Sequence, residues 1–307
     1  MRLIAGHHFG WWDERGEPID ASAGKAIRPT LALLAAEAVG ASPATAVPAA
    51  AAVELVHSFS LLHDDVMDGD RIRRHRPTTW VAFGVGAAIL GGDALLALAF
   101  DVLAASEHPA ATEGMQRLSA AVQDLVDGQS EDIAFETRAD VDLPECLSMA
   151  EGKTGVLLGC ACGLGALFGG RPDLAVHLRA FGDRLGLAFQ LVDDLLGIWG
   201  DPEATGKAVY ADLRQRKKSL PVVAALTSGT AAGHELAALY HRDAPLSDGE
   251  LVHVAELIEL AGGRRWCEQK ADDLLAEALH HLRSAAPAQP PAAELHALAR
   301  LVTDRDR

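Results

Sequence analysis

The chain has 307 residues, a mass of 32.3 kDa and a formal charge of -16, from 27 Lys and Arg against 43 Asp and Glu. That length carries a sizeable core and excludes the very small folds held by disulfides or metals, while the acidic balance excludes nucleic-acid binding by bulk charge. Hydrophobic residues make up 49% and aromatic residues 5% of the chain, and alanine dominates the apolar share, a mix that favours helix over sheet.

Apolar periodicity predicts an all-α chain, with helices over 28–40, 45–68, 79–106, 113–137, 144–168, 173–200, 208–228, 231–242, 247–283 and 291–304. Breakers fit these limits: Pro109, Pro144, Gly169-Gly170-Arg171-Pro172 and the loop Gly200 to Gly206, with a further break expected near Gly262-Gly263. Several of these helices are longer than the usual 8 to 20 or so residues, as in a bundle of long packed rods. No fixed-period repeat or linker divides the chain, so a single domain over 1–307 is expected.

The stretch from Val81 to Phe100 is interrupted by Asp93, and Gly155 to Gly170 is glycine-broken and short of the roughly 20 residues a bilayer needs. Both are expected to be buried core helices, with no membrane span. The start, MRLIAGHHFGWWDERGE, lacks the apolar centre and cleavage pattern of a signal peptide, and a cytoplasmic protein is expected. Cys146, Cys160, Cys162 and Cys267 are too few for a disulfide framework and read as reduced core residues.

Two acidic clusters stand out. In His63-Asp64-Asp65-Val66-Met67-Asp68, the i and i+4 carboxylates of Asp64 and Asp68 project from one helix face, with Asp65 about 100° round. Such like charges repel unless a hard divalent cation lies between them, and Mg2+ takes a few carboxylates together with phosphate oxygens and water. The second cluster places Asp193 and Asp194 between Leu191, Val192, Leu195 and Leu196, where an unpaired charge is costly to bury. Basic groups lie around both clusters: Gly24-Lys25-Ala-Ile-Arg28-Pro29, Arg71-Ile-Arg73-Arg74-His75-Arg76, Lys153-Thr154-Gly155, Lys207, and Arg214 to Lys218. In so acidic a chain they point to an anionic ligand held partly by metal and partly by Arg and Lys. Neither Gly-Lys pair is a P-loop, because the glycine-rich frame is absent.

These motifs resemble, in order, those of the trans-isoprenyl diphosphate synthases, the polyprenyl synthetase family: GKAIRP, ELVHSFSLLHDDVMDGDRIRR, EGKTG, FQLVDDLLGIWGD and GKAVYADLRQRKKSLP. The resemblance covers roughly Gly24 to Pro221. It implies an isoprenoid-synthase bundle around a central cavity, usually a homodimer, using three Mg2+ ions. An allylic diphosphate ionises, its cation is attacked by isopentenyl diphosphate, and proton loss gives an all-trans product one isoprene unit longer. Position by position, Lys25, Arg28, His57 and Arg74 are expected to hold isopentenyl diphosphate. Asp64, Asp68 and Asp193 are expected to bind Mg2+ with Asp194, and Arg73, Lys153, Thr154, Gln190, Lys207 and Lys217 to serve the allylic diphosphate. Asp64, Asp68, Lys153, Asp193 and Lys207 form the implied catalytic set.

Several positions depart from the family pattern. Gly197 stands where a third aspartate is usual, so Gly197→Asp is expected to tighten Mg2+ dependence; Tyr210, Arg216 and His75 replace common glycines, and Trp80 replaces a histidine. Only 23 residues precede Gly24, as if an N-terminal helix were missing. Phe59, five positions before Asp64 and so about 7.5 Å down the helix, is expected with Ser60 to form the floor that limits product length. An aromatic there, with the compact DDVMD motif, resembles short-chain synthases making geranylgeranyl diphosphate, with farnesyl diphosphate second. A class I terpene cyclase and a non-catalytic subunit of a heteromeric synthase are the alternatives. GKAIRP and Arg74 argue against the first, and the complete first motif against the second.

Overall fold

Runs of alanine and leucine at helical spacing leave the chain little but helix to form, and the structure, a computed structural model, is all-α. It describes residues 1–19, 21, 24–201, 209–242 and 244–303. In chain order the helices are α1 (Arg2–His8), α2 (Ile27–Ala38), α3 (Val47–Met67), α4 (Thr79–Phe83), α5 (Val85–Ala104), α6 (Ala111–Thr137), α7 (Leu143–Ala150), α8 (Val156–Phe168) and α9 (Pro172–Trp199). Then follow α10 (Ala211–Arg214), α11 (Leu220–Leu226), α12 (Ala231–Tyr240), α13 (Asp248–Leu260), α14 (Gly263–Ser284) and α15 (Pro291–Thr303). The only sheet among the described residues is a hairpin of β1 (Ile72–Arg73) and β2 (Arg76–Pro77). Two compact units share the chain, one of Met1–Ala120 with Cys160–Val176 and the other of Ala121–Gly159 with His177–Arg307.

The first unit is organised around α3. Pro48 suits its first turn, where no intrahelical donor is needed, and Ala49, Ala52, Val53 and Val56 are fully buried along one face, with Leu62 buried as well. Packed against α3 is α5, whose Gly92 admits the His63 ring where any Cβ would overlap it. The predicted helix over 79–106 breaks at Gly84, whose φ of +88° ends α4 and starts α5. By length and composition, α5 and the stretch Pro43–Met67 are long and apolar enough to cross a membrane, with mean hydropathy of 1.9 and 1.4. Asp93 lies within α5, 3.7 Å from His63 Nε2, and the helix, expected as buried core, is only one third buried.

The hairpin was not expected. Its two turn residues, Arg74 and His75, both have left-handed φ, 52° and 62°, the conformation of the tight turn that matches strand twist and that usually takes glycine or asparagine. Tyr210 and Arg216 are left-handed as well, at 62° and 55°. All three departures from glycine noted in the sequence therefore fall where glycine is the unstrained residue, and each stores about 1 kcal/mol or more. The turn at Arg216 also divides the predicted helix over 208–228 into α10 and α11.

In the second unit, the predicted helix over 144–168 carries a π-helical turn, Glu151–Gly155, between α7 and α8. Here two backbones touch: a Cβ on Gly186 would lie 2.6 Å from Gly155 Cα, and one on Gly182 would lie 2.5 Å from the Leu158 carbonyl oxygen. Leu187, Leu191, Val192 and Leu195 of α9 form its core with Cys146, Leu220, Cys267 and Leu274. The four cysteines are buried and unpaired by disulfides, as expected. The expected break at Gly262-Gly263 is present, with Gly262 at φ +87°.

One carboxyl group is trapped at the glycine seam. Asp183 Oδ1 is buried without a hydrogen-bond partner beside Gly159, with Arg179 Nε 3.6 Å from Oδ2. Burial raises its pKa to about 6 against the opposing pull of Arg179. The folded protein therefore binds the extra proton between the ordinary carboxyl value of 3.8 and about 6, and stability falls as pH rises through that window. Asp183→Asn is expected to flatten this fall, as read by thermal unfolding at steps across the window. An unchanged slope would overturn the assignment.

Candidate active site

In the first unit, α3 carries the acidic motif to its last turn, and Asp68 caps the helix with its amide bonded to the Asp64 carbonyl at 2.8 Å. Asp64 and Asp68 are partly exposed, whereas Asp65 is buried and accepts a 2.6 Å charge-assisted bond from Arg73 Nε. Burial pushes the Asp65 carboxyl up to about 6 even with the Arg73 charge beside it. Arg73, expected at an allylic diphosphate, is thus engaged with Asp65 and lies 3.9 Å from Asp70.

The expected isopentenyl diphosphate residues meet in this same unit. Arg28 Nη1 lies 3.1 Å from His57 Nε2. A guanidinium only donates, so the imidazole nitrogen accepts and His57 is neutral here. Burial first, then Arg28 and Arg74, drives the His57 pKa well below its usual value. Burial also brings Arg28 down to about 10, and its Nε has no hydrogen-bond partner. Glu54 is the nearby counter-charge, its own carboxyl raised by burial against the pull of Arg28 and Arg74. Gly24, at φ +101°, leaves room for the Arg74 guanidinium, whose Nη2 would be 2.5 Å from any Cβ there. Lys25 is exposed just ahead of α2. Phe59 packs edge-on against His63, with centroids 4.9 Å apart, and Ser60 Oγ donates to the His57 carbonyl at 2.9 Å.

The second unit assembles the other motif. Thr154 Oγ1 donates to Gln190 Oε1 at 2.6 Å, and Gln190 Nε2 donates to Asp194 Oδ1 at 2.7 Å. Asp194 Oδ2 accepts from the Leu220 amide at 2.8 Å, so both oxygens are used inside the protein. Burial raises the Asp194 carboxyl to about 7, against the Leu220 bond that lowers it. Asp193, one residue earlier, is only partly buried. Lys153 is paired with Asp132, a partner the motifs did not reveal. The Lys217 amide bonds to the Asp212 carbonyl at 3.0 Å, and its own carbonyl accepts from Tyr240 Oη at 2.9 Å. Lys207 lies outside the described residues.

Gly197 has a specific neighbour that sequence reasoning missed. A Cβ on Gly197 would overlap the Asp212 carboxylate, so Asp212 fills the space a third aspartate would take. The residue lay in plain view within GKAVYADLRQRKKSLP, but fifteen positions of chain gave no hint that it returns to α9.

The carboxylates are hard oxygen donors suited to Mg2+, yet among the described residues no three His, Cys, Asp or Glu converge tightly enough to hold a metal by themselves. That fits an ion bound by one or two carboxylates and completed by phosphate oxygens and water.

Comparison with known proteins agrees with this chemistry. A sequence model of the polyprenyl synthetase family matches residues 11–258. The chain is 50% identical to a (2E,6E)-farnesyl diphosphate synthase of Mycobacterium tuberculosis over 309 residues, covering 99% of this chain and 86% of that protein. It is 45% identical to a geranylgeranyl diphosphate synthase of the same species over 308 residues, covering 100% and 87%. Its fold matches the crystal structure of a polyprenyl synthetase from Streptomyces coelicolor with a TM-score of 0.93 at 50% identity, over 98% of this chain and 91% of that one. It also matches a geranylgeranyl pyrophosphate synthase from Corynebacterium glutamicum complexed with isoprenyl diphosphate and magnesium, with a TM-score of 0.81 at 30% identity over 92% and 87%. The chain belongs to the polyprenyl synthetase family of trans-prenyltransferases.

Proposed function

We propose that the protein is a Mg2+-dependent short-chain synthase that joins isopentenyl diphosphate to an allylic diphosphate, with geranylgeranyl diphosphate as the product. The observation that carries this reading is the Arg28, His57 and Arg74 cluster in the same unit as the acidic end of α3. One set of side chains suits a diphosphate held by direct contacts, the other a diphosphate held through metal. A cyclase acting on one diphosphate has no use for the first set.

In this mechanism Lys25, Arg28 and Arg74 bind the isopentenyl diphosphate, and neutral His57 orients Arg28 against it. Asp64, Asp68 and Asp193 would hold Mg2+, while Asp194 fixes Gln190 and the start of α11. Bound Mg2+ supplies positive charge that stabilises the departing diphosphate. Lys153, Lys207, Lys217 and Arg73 answer the same charge, Thr154 acts by orienting Gln190, and loss of a proton from the coupled chain completes the product.

The proposal takes residues 1–307 as one functional domain, since the family match over 11–258 includes residues of both compact units. It includes a homodimer, supported by the exposed Ile89, Leu90 and Leu98 of α5. A cytoplasmic location is also part of it, suited by four reduced cysteines.

Incubation with Mg2+, isopentenyl diphosphate and one allylic partner tests the reading: an elongated diphosphate supports it, and a hydrocarbon product, or no turnover without a second chain, overturns it. Asp64→Ala or Asp68→Ala is expected to lower turnover roughly a hundredfold, and near-normal rates at saturating Mg2+ would refute the metal assignment. Gly197→Asp is expected to push the Asp212 side chain aside and to tighten Mg2+ dependence, as read from turnover against Mg2+ concentration, and an unchanged Mg2+ dependence would overturn this. Phe59→Ala is expected to shift the dephosphorylated products toward longer chains on chromatography. Identical chain lengths in variant and wild type would remove Phe59 as the floor.

A further inference from the structure

The N-terminal segment is absorbed by none of the motifs, yet it is built onto the hairpin. Trp12 folds back onto α1: its Nε1 donates to the Leu3 carbonyl at 2.8 Å, and its ring covers Gly6, where any Cβ would overlap it. Arg76, from the second hairpin strand, clasps this fold by donating from Nη2 to the His7 carbonyl at 2.7 Å and to the Trp12 carbonyl at 3.5 Å. The His7 ring meets Phe83 edge-on at 5.1 Å. These contacts fix the end of α1 beside the paired arginines.

A pocket opens there, lined by His7, His8, Asp65, Arg73, Arg74 and Arg76. Three guanidiniums face one carboxylate, and that carboxylate is already tied to Arg73. His7 Nδ1 is buried with no hydrogen-bond partner. The charged groups lining the pocket are mostly cationic, and His7 Nδ1 is an unused polar atom, the makings of an anion site.

We infer that His8 is a further binding residue for the isopentenyl diphosphate headgroup, and that it takes up a proton from solvent as the headgroup enters. This rests on the reading of Arg28, His57 and Arg74 as the holders of that diphosphate. Without ligand, burial together with Arg74, Arg73, His7 and Arg76 keeps His8 neutral, with its pKa near 3. From α3, Asp65 faces the same pocket and His57 lies within electrostatic reach. A diphosphate carries several negative charges and reverses the field at the imidazole, so the ring becomes a cation and a second N–H donor. No bond in the substrate changes in this step; a solvent proton moves to the ring nitrogen. Proton uptake by His8 therefore favours binding as pH falls.

Calorimetric titration of inorganic diphosphate without Mg2+, in buffers of different ionisation enthalpy at about pH 6 and pH 8, tests this. Relative to wild type, His8→Gln is expected to bind about tenfold more weakly at the lower pH, with less proton uptake and nearly equal affinity at the higher pH. His8→Lys is expected to bind well at both pH values without the uptake that wild type shows, and thermal unfolding checks that both variants fold. If Arg74→Ala weakens binding but both His8 variants match wild type in affinity and proton uptake, the inference about His8 is overturned and the underlying reading stands. If Arg74→Ala leaves diphosphate affinity unchanged, that underlying reading fails, and this inference with it.

Discussion

The structure depends on holding buried guanidinium groups in place before any ligand arrives. Arg28 is held 3.1 Å from an imidazole that must stay neutral to accept its bond, with Glu54 the nearby carboxylate. Burying a guanidinium against a neutral acceptor is costly compared with leaving it in water, and the cost is visible in the lowered pKa values of Arg28, His57 and Arg74. The packing of α2, α3 and α5 supplies the stability that offsets it. A polyanion entering such a place needs little rearrangement of the protein, which is the condition for electrostatic catalysis by preorganised groups.

The second unit treats its acids by the opposite device. Asp194 spends both oxygens on Gln190 and the Leu220 amide, and so acts as an internal brace, while Asp193 beside it stays partly open. Adjacent aspartates on one helix point about 100° apart, and that angle alone separates a structural carboxylate from one available to a cation. The same division holds in the first unit, where Asp65 turns inward to Arg73 and Asp64 and Asp68 remain accessible.

How much of this could be read from the chain depends on the range of each interaction. The long helices and the separation of Asp65 from Asp64 and Asp68 were legible because helical phase is a local property, and the ordered motifs were legible because chemistry demands particular residue types. The short α1 and the hairpin were not, since two to seven residues carry no periodicity to detect. Breaks inside predicted helices came from Gly84 and Arg216, single residues whose left-handed backbone no pattern of polarity announces. Lys153 with Asp132, and Asp212 with Gly197, were invisible for a different reason: they are partners brought together by tertiary packing across stretches of chain with no spacing rule.

The π-helical turn at Glu151–Gly155 has a further meaning for how this region tolerates change. Such a turn adds one residue to the helical winding, so everything after it is rotated by about 100° relative to an uninterrupted helix. Lys153 and Thr154 lie on the turn itself, where one side chain reaches Asp132 on α6 and the next reaches Gln190 on α9. Removing any one residue between Ala150 and Val156 would restore an ordinary helix and turn one of these groups away from its partner. Length in this short stretch is therefore constrained together with residue identity, and exchange of segments between relatives will succeed only where the winding number is kept.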